Sequence, residues 1–211
     1  MPAGTTLDLF GGRALVSVVG FRFLDTRVLG MRIPGHRDFD EVNLRFYVGH
    51  EAGGEVRHGV VFVRELVPRA AIAWLARRAY HEPYRAVPMR STVPATAGGA
   101  PGRLVYEWRT AAGWQHVAAT ADGAPAVPAP GSAAAFITHH LWGYTGQPDG
   151  STLEYEVEHP RWRVWPASAP ALAADVAGLY GAAFVAPLSR PPVSAFIADG
   201  SPVAVYRPRR L

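Results

Sequence analysis

The chain has 211 residues, 49% of them hydrophobic and 18% charged, with a net charge of +4, which suits one full-sized domain, or two small ones, with a sizeable core. It contains no cysteine, which excludes disulfides, thiolate chemistry and cysteine-type zinc sites. All 21 basic residues are arginine, so no side chain can form a lysine Schiff base or act as a lysine nucleophile.

The elements follow in order. Leu9-Phe10-Gly11-Gly12 sets a turn before a strand expected over 13–23, and a second short strand over 26–33 leads to the Pro34-Gly35 turn. The next strand, about 41–48, alternates strictly. Glu41, Asn43, Arg45 and Tyr47 point one way and Val42, Leu44, Phe46 and Val48 the other. Residues 49–55 read as the tip of a hairpin whose return strand is 57–66. A helix is expected over 69–80, with Pro68 at its start and Pro83 as its stop. Residues 84–92 return to strand, 94–102 form a loop, and 103–110 with 115–120 bracket Ala111-Ala112-Gly113 as a second hairpin. Residues 121–131 read as a surface loop rather than a domain linker. Ser132 is a fitting N-cap for a helix over 133–142. Residues 152–158 alternate again, 161–165 follow the His159-Pro160 turn, 170–180 read as an Ala-rich helix, and 193–197 and 203–206 as the last strands. The sum is an α+β, mostly antiparallel β chain in a single domain, with about three helices.

No catalytic signature stands out: the sequence has no nucleophile elbow, phosphate loop, dinucleotide fingerprint or HExxH motif. The most informative pattern is the row Glu41, Asn43, Arg45, Tyr47, which places an acid, an amide, a guanidinium and a phenol about 6–7 Å apart along one strand face. Either that face is solvated, or it lines a cavity. In a cavity Arg45 would hold a carboxylate bidentately, Asn43 and Tyr47 would orient it, and Glu41 would serve as pairing partner or proton acceptor. His139 and His140 are adjacent, and neighbouring helical residues rarely share a metal. The expectation is therefore no metal, with one of the two histidines buried and hydrogen-bonded and the other at the solvent edge. His159 completes the candidate binding residues. Glu154, Glu156 and Glu158 read as a solvated row, or as one answering arginines such as Arg161 and Arg163 on the neighbouring strand. The arginines are scattered rather than gathered on one face, which argues against nucleic acid, and no apolar run reaches the roughly 18–20 residues that span a bilayer. With no signal-peptide pattern visible, a cytoplasmic location is expected. The partners left open are a small-molecule ligand and further copies of the chain, and no cofactor is indicated.

Five stretches carry a resemblance: 7–28 (LDLFGGRALVSVVGFRFLDTRV), 36–48 (HRDFDEVNLRFYV), 59–66 with 71–84 (GVVFVREL, AIAWLARRAYHEPY), 131–144 (GSAAAFITHHLWGY) and 156–162 (EVEHPRW). Together they resemble the YqjF-like proteins, the domain of unknown function DUF2071. The resemblance implies an acetoacetate decarboxylase-like fold, a cone-like or barrel-like sheet around a cavity with peripheral helices, which would turn Glu41, Asn43 and Arg45 inward. That decarboxylase works through a Schiff-base lysine, which this chain lacks, so kinship of fold does not carry the reaction. Two departures stand out. The family usually has an Arg-Tyr pair where this chain has His139-His140. The chain also starts at Met1-Pro2-Ala3-Gly4, where the family reads Leu-Pro-x-Gly after a further N-terminal segment, so such a segment is expected to be missing here. The function implied is the binding of a small anionic or carbonyl-bearing molecule in the cavity, with the reaction open. The alternative is a non-catalytic structural or interaction domain with a solvated polar strand face.

Overall fold

The computed structural model describes residues 1–24, 27–28, 31–32, 38–94 and 102–211, with the two dipeptides described by backbone alone. The expected turn at 34–35 and the body of the 94–102 loop lie outside them. Of the expected strand over 26–33, Arg27–Val28 and Met31–Arg32 are described, and they pair antiparallel with each other. The fold is mostly antiparallel β with four α-helices among the described residues.

Its central unit is the hairpin of Phe39–Ala52 and Glu55–Val67. Composition marks 49–55 as the tip, but the strands run on through His50 and Glu51, and the turn is made at Gly53-Gly54. Both glycines have positive φ, 63° and 85°, as the two-residue turn that matches strand twist demands. On one flank Phe39–Ala52 pairs with Val16–Phe23 and Thr6–Leu7. On the other, Glu55–Val67 pairs in parallel with Tyr84–Ala86 and Trp142–Gly146. Thr152–Glu158 and the short strands Ala204–Val205 and Arg209–Arg210 complete the sheet. The sheet curls into a half-barrel. The expected cone or barrel is therefore open on one side rather than closed.

A second, five-stranded sheet runs Met89–Thr92, Arg103–Thr110, Gly113–Ala121, Val164–Ala173, Phe196–Ala198. The chain crosses into it at Val87-Pro88, splitting what reads as one strand over 84–92. Pro88 has no N–H to offer a ladder. Pairing changes there from Glu65↔Tyr84 in the large sheet to Met89↔Trp108 in the small one. The two sheets meet through the apolar face of the hairpin. Val42, Leu44 and Leu66 pack with Tyr106 and Trp108 of the small sheet and with Leu179 and Tyr180 of the Val176–Tyr180 helix.

Three helices sit near their expected places, two of them shortened. Ala70–Tyr80 buries Ile72 and Ala73 against Phe39 and Val67. Ser132 caps the next helix, accepting from the Ala135 amide at 3.1 Å, but that helix is only Ala133–Thr138, so His139 and His140 lie beyond its last turn. The helix expected over 170–180 starts at Val176, with Asp175 as its cap. Residues 170–173 belong to the Val164–Ala173 strand instead. Pro170 is tolerated because the ladder shifts register between Ala118 and Thr120, with Ala169 at φ 47°. A bulge is where a strand can hold a residue without an N–H. The fourth α-helix is the short Val185–Leu188. No helix among the described residues is long and apolar enough to cross a membrane.

Candidate functional site

The alternation of Phe39–Ala52 sends Val42 and Leu44 between the sheets and Glu41 and Asn43 to the opposite face. That face is not solvated: Glu41 and Asn43 are each 1% exposed. The alternative with a wet polar strand face therefore loses its premise. Burial follows from the neighbours. Asn43 stands opposite Glu65, and Glu65 stands opposite Tyr84, so three adjacent strands supply one polar face. Glu82 arrives from the end of Ala70–Tyr80. There His81 adopts a left-handed φ of 58° and turns the chain so that Glu82 is 5% exposed.

The result is a cluster of three buried carboxyl groups, Glu41, Glu65 and Glu82, held by phenols, an amide and a hydroxyl. Glu41 accepts from Asn43 Nδ2 at 3.0 Å and from the Tyr84 hydroxyl at 2.9 Å. Glu82 Oε1 accepts from Thr145 and, at 2.8 Å, from the Tyr155 hydroxyl. Desolvation dominates their ionisation. Burial pushes Glu41 up to about 7, against the lowering effect of Asn43, Tyr84 and the Arg45 charge. It pushes Glu82 up to about 7 as well, against Thr145 and Tyr155. Glu65 is driven well above the usual carboxylate range by burial and by the charges of Glu82 and Glu41. These are proton-holding acids near neutral pH, able to donate hydrogen bonds. Three buried atoms beside them have no protein partner: Asn43 Oδ1, Glu65 Oε2 and Arg45 Nε.

Arg45 lies just past a register shift after Leu44, where it faces Phe62 and Val63 is the extra residue. It is half-buried, donates a long hydrogen bond to the Ile137 carbonyl at 3.4 Å and lies 5.8 Å from the Tyr47 ring centroid. Tyr47 is buried, its hydroxyl 2.6 Å from Ser17 Oγ and its ring packed on Phe136 and His140. The polar row therefore leads from the acids toward the histidines.

His139 and His140 part company, as expected of a buried and a solvent-edge pair. His140 has only 3% of its side chain exposed. Its Nδ1 donates to the Phe136 carbonyl at 2.6 Å, and its Nε2 lies 2.8 Å from Asp8 Oδ2. His58 Nδ1 meets the same oxygen at 2.6 Å. Burial lowers the basicity of His140, against the raising effect of Asp8 and the Phe136 carbonyl. Burial works to raise Asp8, but the bonds from His58 and His140 hold it below its ordinary value. His139 is exposed and faces a shallow depression with His159, Leu141, Pro160 and Arg161, and His159 stacks on Trp162 at 3.9 Å. The structure thus joins Glu41, Asn43, Arg45 and Tyr47 along one face, sets His140 against Tyr47, and leaves His139 and His159 as a separate pair.

Glu154 also departs from expectation. It is fully buried rather than part of a solvated row, and it is paired with Arg57 and Arg209 and bonded by the Tyr144 hydroxyl. Arg163 pairs with Asp199 instead. Sequence reading missed Glu65, Glu82, Tyr84, Asp8 and His58. Of these, the run Glu82-Pro83-Tyr84 at the helix stop held the nearest local signal.

The family DUF2071, Uncharacterized conserved protein, matches residues 1–202. The chain belongs to this family. Among curated proteins nothing matches. Several solved structures are similar in fold. The enduracididine biosynthesis enzyme MppR complexed with pyruvate has a TM-score of 0.58 at 14% identity, over 83% of this chain and 69% of that one. An acetoacetate decarboxylase from Legionella pneumophila has a TM-score of 0.55 at 13% identity, over 86% of this chain and 69% of that one. MppR with HEPES bound has a TM-score of 0.57 at 14% identity, over 82% of this chain, which spans 65% of that protein's length. At these identities the likeness is one of fold: this DUF2071 chain shares the acetoacetate decarboxylase-like architecture.

Proposed function

We propose that the chain binds a small molecule carrying a carboxylate or carbonyl group beside Glu41, Asn43 and Arg45. The observation that carries this reading is the row of unpartnered buried atoms, Asn43 Oδ1, Glu65 Oε2 and Arg45 Nε, next to acids that hold their protons near neutral pH. Buried polar atoms without partners are rare in folded proteins and call for a water or ligand. Arg45 supplies the charge for a carboxylate. A protonated Glu65 or Glu41 supplies a hydrogen bond for a carbonyl oxygen, as buried neutral carboxyl groups do in enzyme sites. The neighbouring fold includes a protein complexed with pyruvate, which has both groups. Any chemistry on the bound molecule would proceed without a lysine Schiff base, since the chain has no lysine.

The test is thermal unfolding of the native chain and of Arg45→Ala with four probes: pyruvate, acetoacetate, acetate and acetone. A ligand at 100 times its Kd stabilises by about 2.7 kcal/mol. Pyruvate or acetoacetate is expected to raise the Tm of the native chain and to lose most of that effect on Arg45→Ala, with acetone the weakest probe. Equal shifts in both proteins, or no shift with any probe, would remove Arg45 as the anchor and the reading with it.

A further inference from the structure

We propose that Asp8, His58 and His140 form a binding site for one divalent transition-metal ion, Zn²⁺ by preference. This is independent of the reading of the polar row. It rests on geometry and on the valence of one imidazole ring.

The three side chains come from separate places in the chain, His58 and His140 lying 50 and 132 residues from Asp8. Their ligating atoms, Asp8 Oδ2, His58 Nδ1 and His140 Nε2, all lie within 4.8 Å of one another. Each is positioned by the fold. Asp8 sits between the short strands Thr6–Leu7 and Leu9–Phe10, with its amide bonded to the Tyr47 carbonyl at 3.0 Å. His58 stands opposite Gly49 in the central hairpin. His140 lies past the Ala133–Thr138 helix, wedged between the rings of Phe136 and Tyr47 at 4.6 and 4.7 Å.

His140 is the deciding residue. A neutral imidazole carries one N–H and one lone pair. In that neutral form Nδ1 spends the N–H on the Phe136 carbonyl at 2.6 Å, and Nε2 can bond the Asp8 oxygen 2.8 Å away only through a bound cation. Two electron-rich atoms at that distance need a positive charge between or on them. A proton on Nε2 would serve His140 and Asp8 alone, on a ring with only 3% of its side chain exposed. A metal ion satisfies the lone pair, the carboxylate and the His58 nitrogen at once. A histidine whose other N–H is bound to a backbone carbonyl is the usual arrangement for a metal ligand, because that bond sets the tautomer and the ring orientation.

Two imidazoles and one carboxylate suit Zn²⁺ and other imidazole-preferring divalent ions, and three protein ligands leave a fourth position for water or a bound molecule. Tetrahedral Zn²⁺ at ordinary bond lengths needs its ligand atoms about 3.3 Å apart. Here His58 Nδ1 and His140 Nε2 lie 2.6 and 2.8 Å from Asp8 Oδ2, so the two pairs must open by about 0.7 and about 0.5 Å on metal binding. His58, with 54% of its side chain exposed, has room to yield and makes the site reachable from solvent.

The experiment uses the full chain, stripped of metal by chelator dialysis and titrated with Co²⁺, then with Zn²⁺. One Co²⁺ per chain is expected, with the visible absorption of a low-symmetry nitrogen and oxygen site, displaced by one equivalent of Zn²⁺. His58→Ala, at a half-exposed position and with its fold checked by circular dichroism, is expected to weaken binding at least about 100-fold, and Asp8→Ala similarly. His139→Ala and His159→Ala, in the separate pair, are expected to bind as the native chain does. Sub-stoichiometric Co²⁺, or native affinity in folded His58→Ala and Asp8→Ala, would overturn the proposal.

Discussion

Glu82 shows at the residue scale how position sets chemistry. Its carboxyl is held by Thr145 and Tyr155, both of which would stabilise its charge, yet burial outweighs them and lifts it to about 7. An unfolded glutamate ionises near its ordinary value of 4.5, so between there and about 7 the folded state binds the extra proton. The stability this group contributes is fully present below the unfolded value and is lost as pH rises through the folded one. A displacement of this size corresponds to about 3 kcal/mol for an isolated group. Glu82→Gln keeps an acceptor for both hydroxyls and removes the titration. Urea unfolding is expected to find the variant close to the native chain at pH 5 and more stable than it at pH 8.5. A gap that does not change between the two pH values would mean that Glu82 does not titrate as described.

At the scale of elements, the parallel contact between Glu55–Val67 and Trp142–Gly146 depends on one missing side chain. A Cβ on Gly59 would come within 2.5 Å of Tyr144 Cε2 and 2.6 Å of the Trp142 carbonyl oxygen. A tyrosine ring can rotate a little; the backbone oxygen belongs to the strand that carries Tyr144 and Thr145, and moving it opens the pair Trp142↔Gly59. Tyr144 in turn bonds Glu154 and Thr145 bonds Glu82, so this strand spacing supports both buried acids. Gly59→Ala is expected to cost about 1–3 kcal/mol, the range for overpacking a tight site, whereas alanine at exposed Glu156 is expected to stay within about 0.5 kcal/mol. Chemical denaturation of both variants checks this, and a Gly59→Ala protein of native stability would show that the strands can part at no cost.

The whole molecule is held together where the two sheets meet. Trp108 is fully buried, spans the apolar space between Leu44 and Tyr180, and bonds Gln115 Oε1 through its indole N–H at 3.2 Å. Gln115 Oε1 also accepts from the Asp175 amide at 2.9 Å, tying the small sheet to the start of the Val176–Tyr180 helix. Trp108→Ala is expected to lower stability by about 3–5 kcal/mol, the usual effect of removing a core aromatic. If the chain is one domain, fluorescence from the remaining tryptophans and far-UV circular dichroism will lose their signals in one shared transition. Two separated transitions would divide the sheets into independent units.

Local pattern was enough for the central strand, the helix at Ala70–Tyr80, the Ser132 cap and both hairpins, because alternation, helical period and paired glycines are properties of neighbouring residues. It was also enough to mark Glu41, Asn43, Arg45 and Tyr47 as one face, since a strand sends every second side chain the same way. Whether that face was wet was decided elsewhere. Glu65 faces Asn43 through the antiparallel hairpin, but Tyr84 and Glu82 close over this face only because the parallel pairing Glu65↔Tyr84 and a left-handed residue at His81 bring them there, and no local spacing encodes a parallel partner. The same holds for Asp8, His58 and His140: each alone reads as a surface polar residue or a satisfied histidine. The sequence by itself determined the central hairpin, the helix at Ala70–Tyr80, the two-faced strand and the absence of a lysine mechanism. Only the tertiary structure decided which carboxyl groups lose their water and which imidazoles meet, because desolvation and coordination depend on distances between residues far apart in the chain.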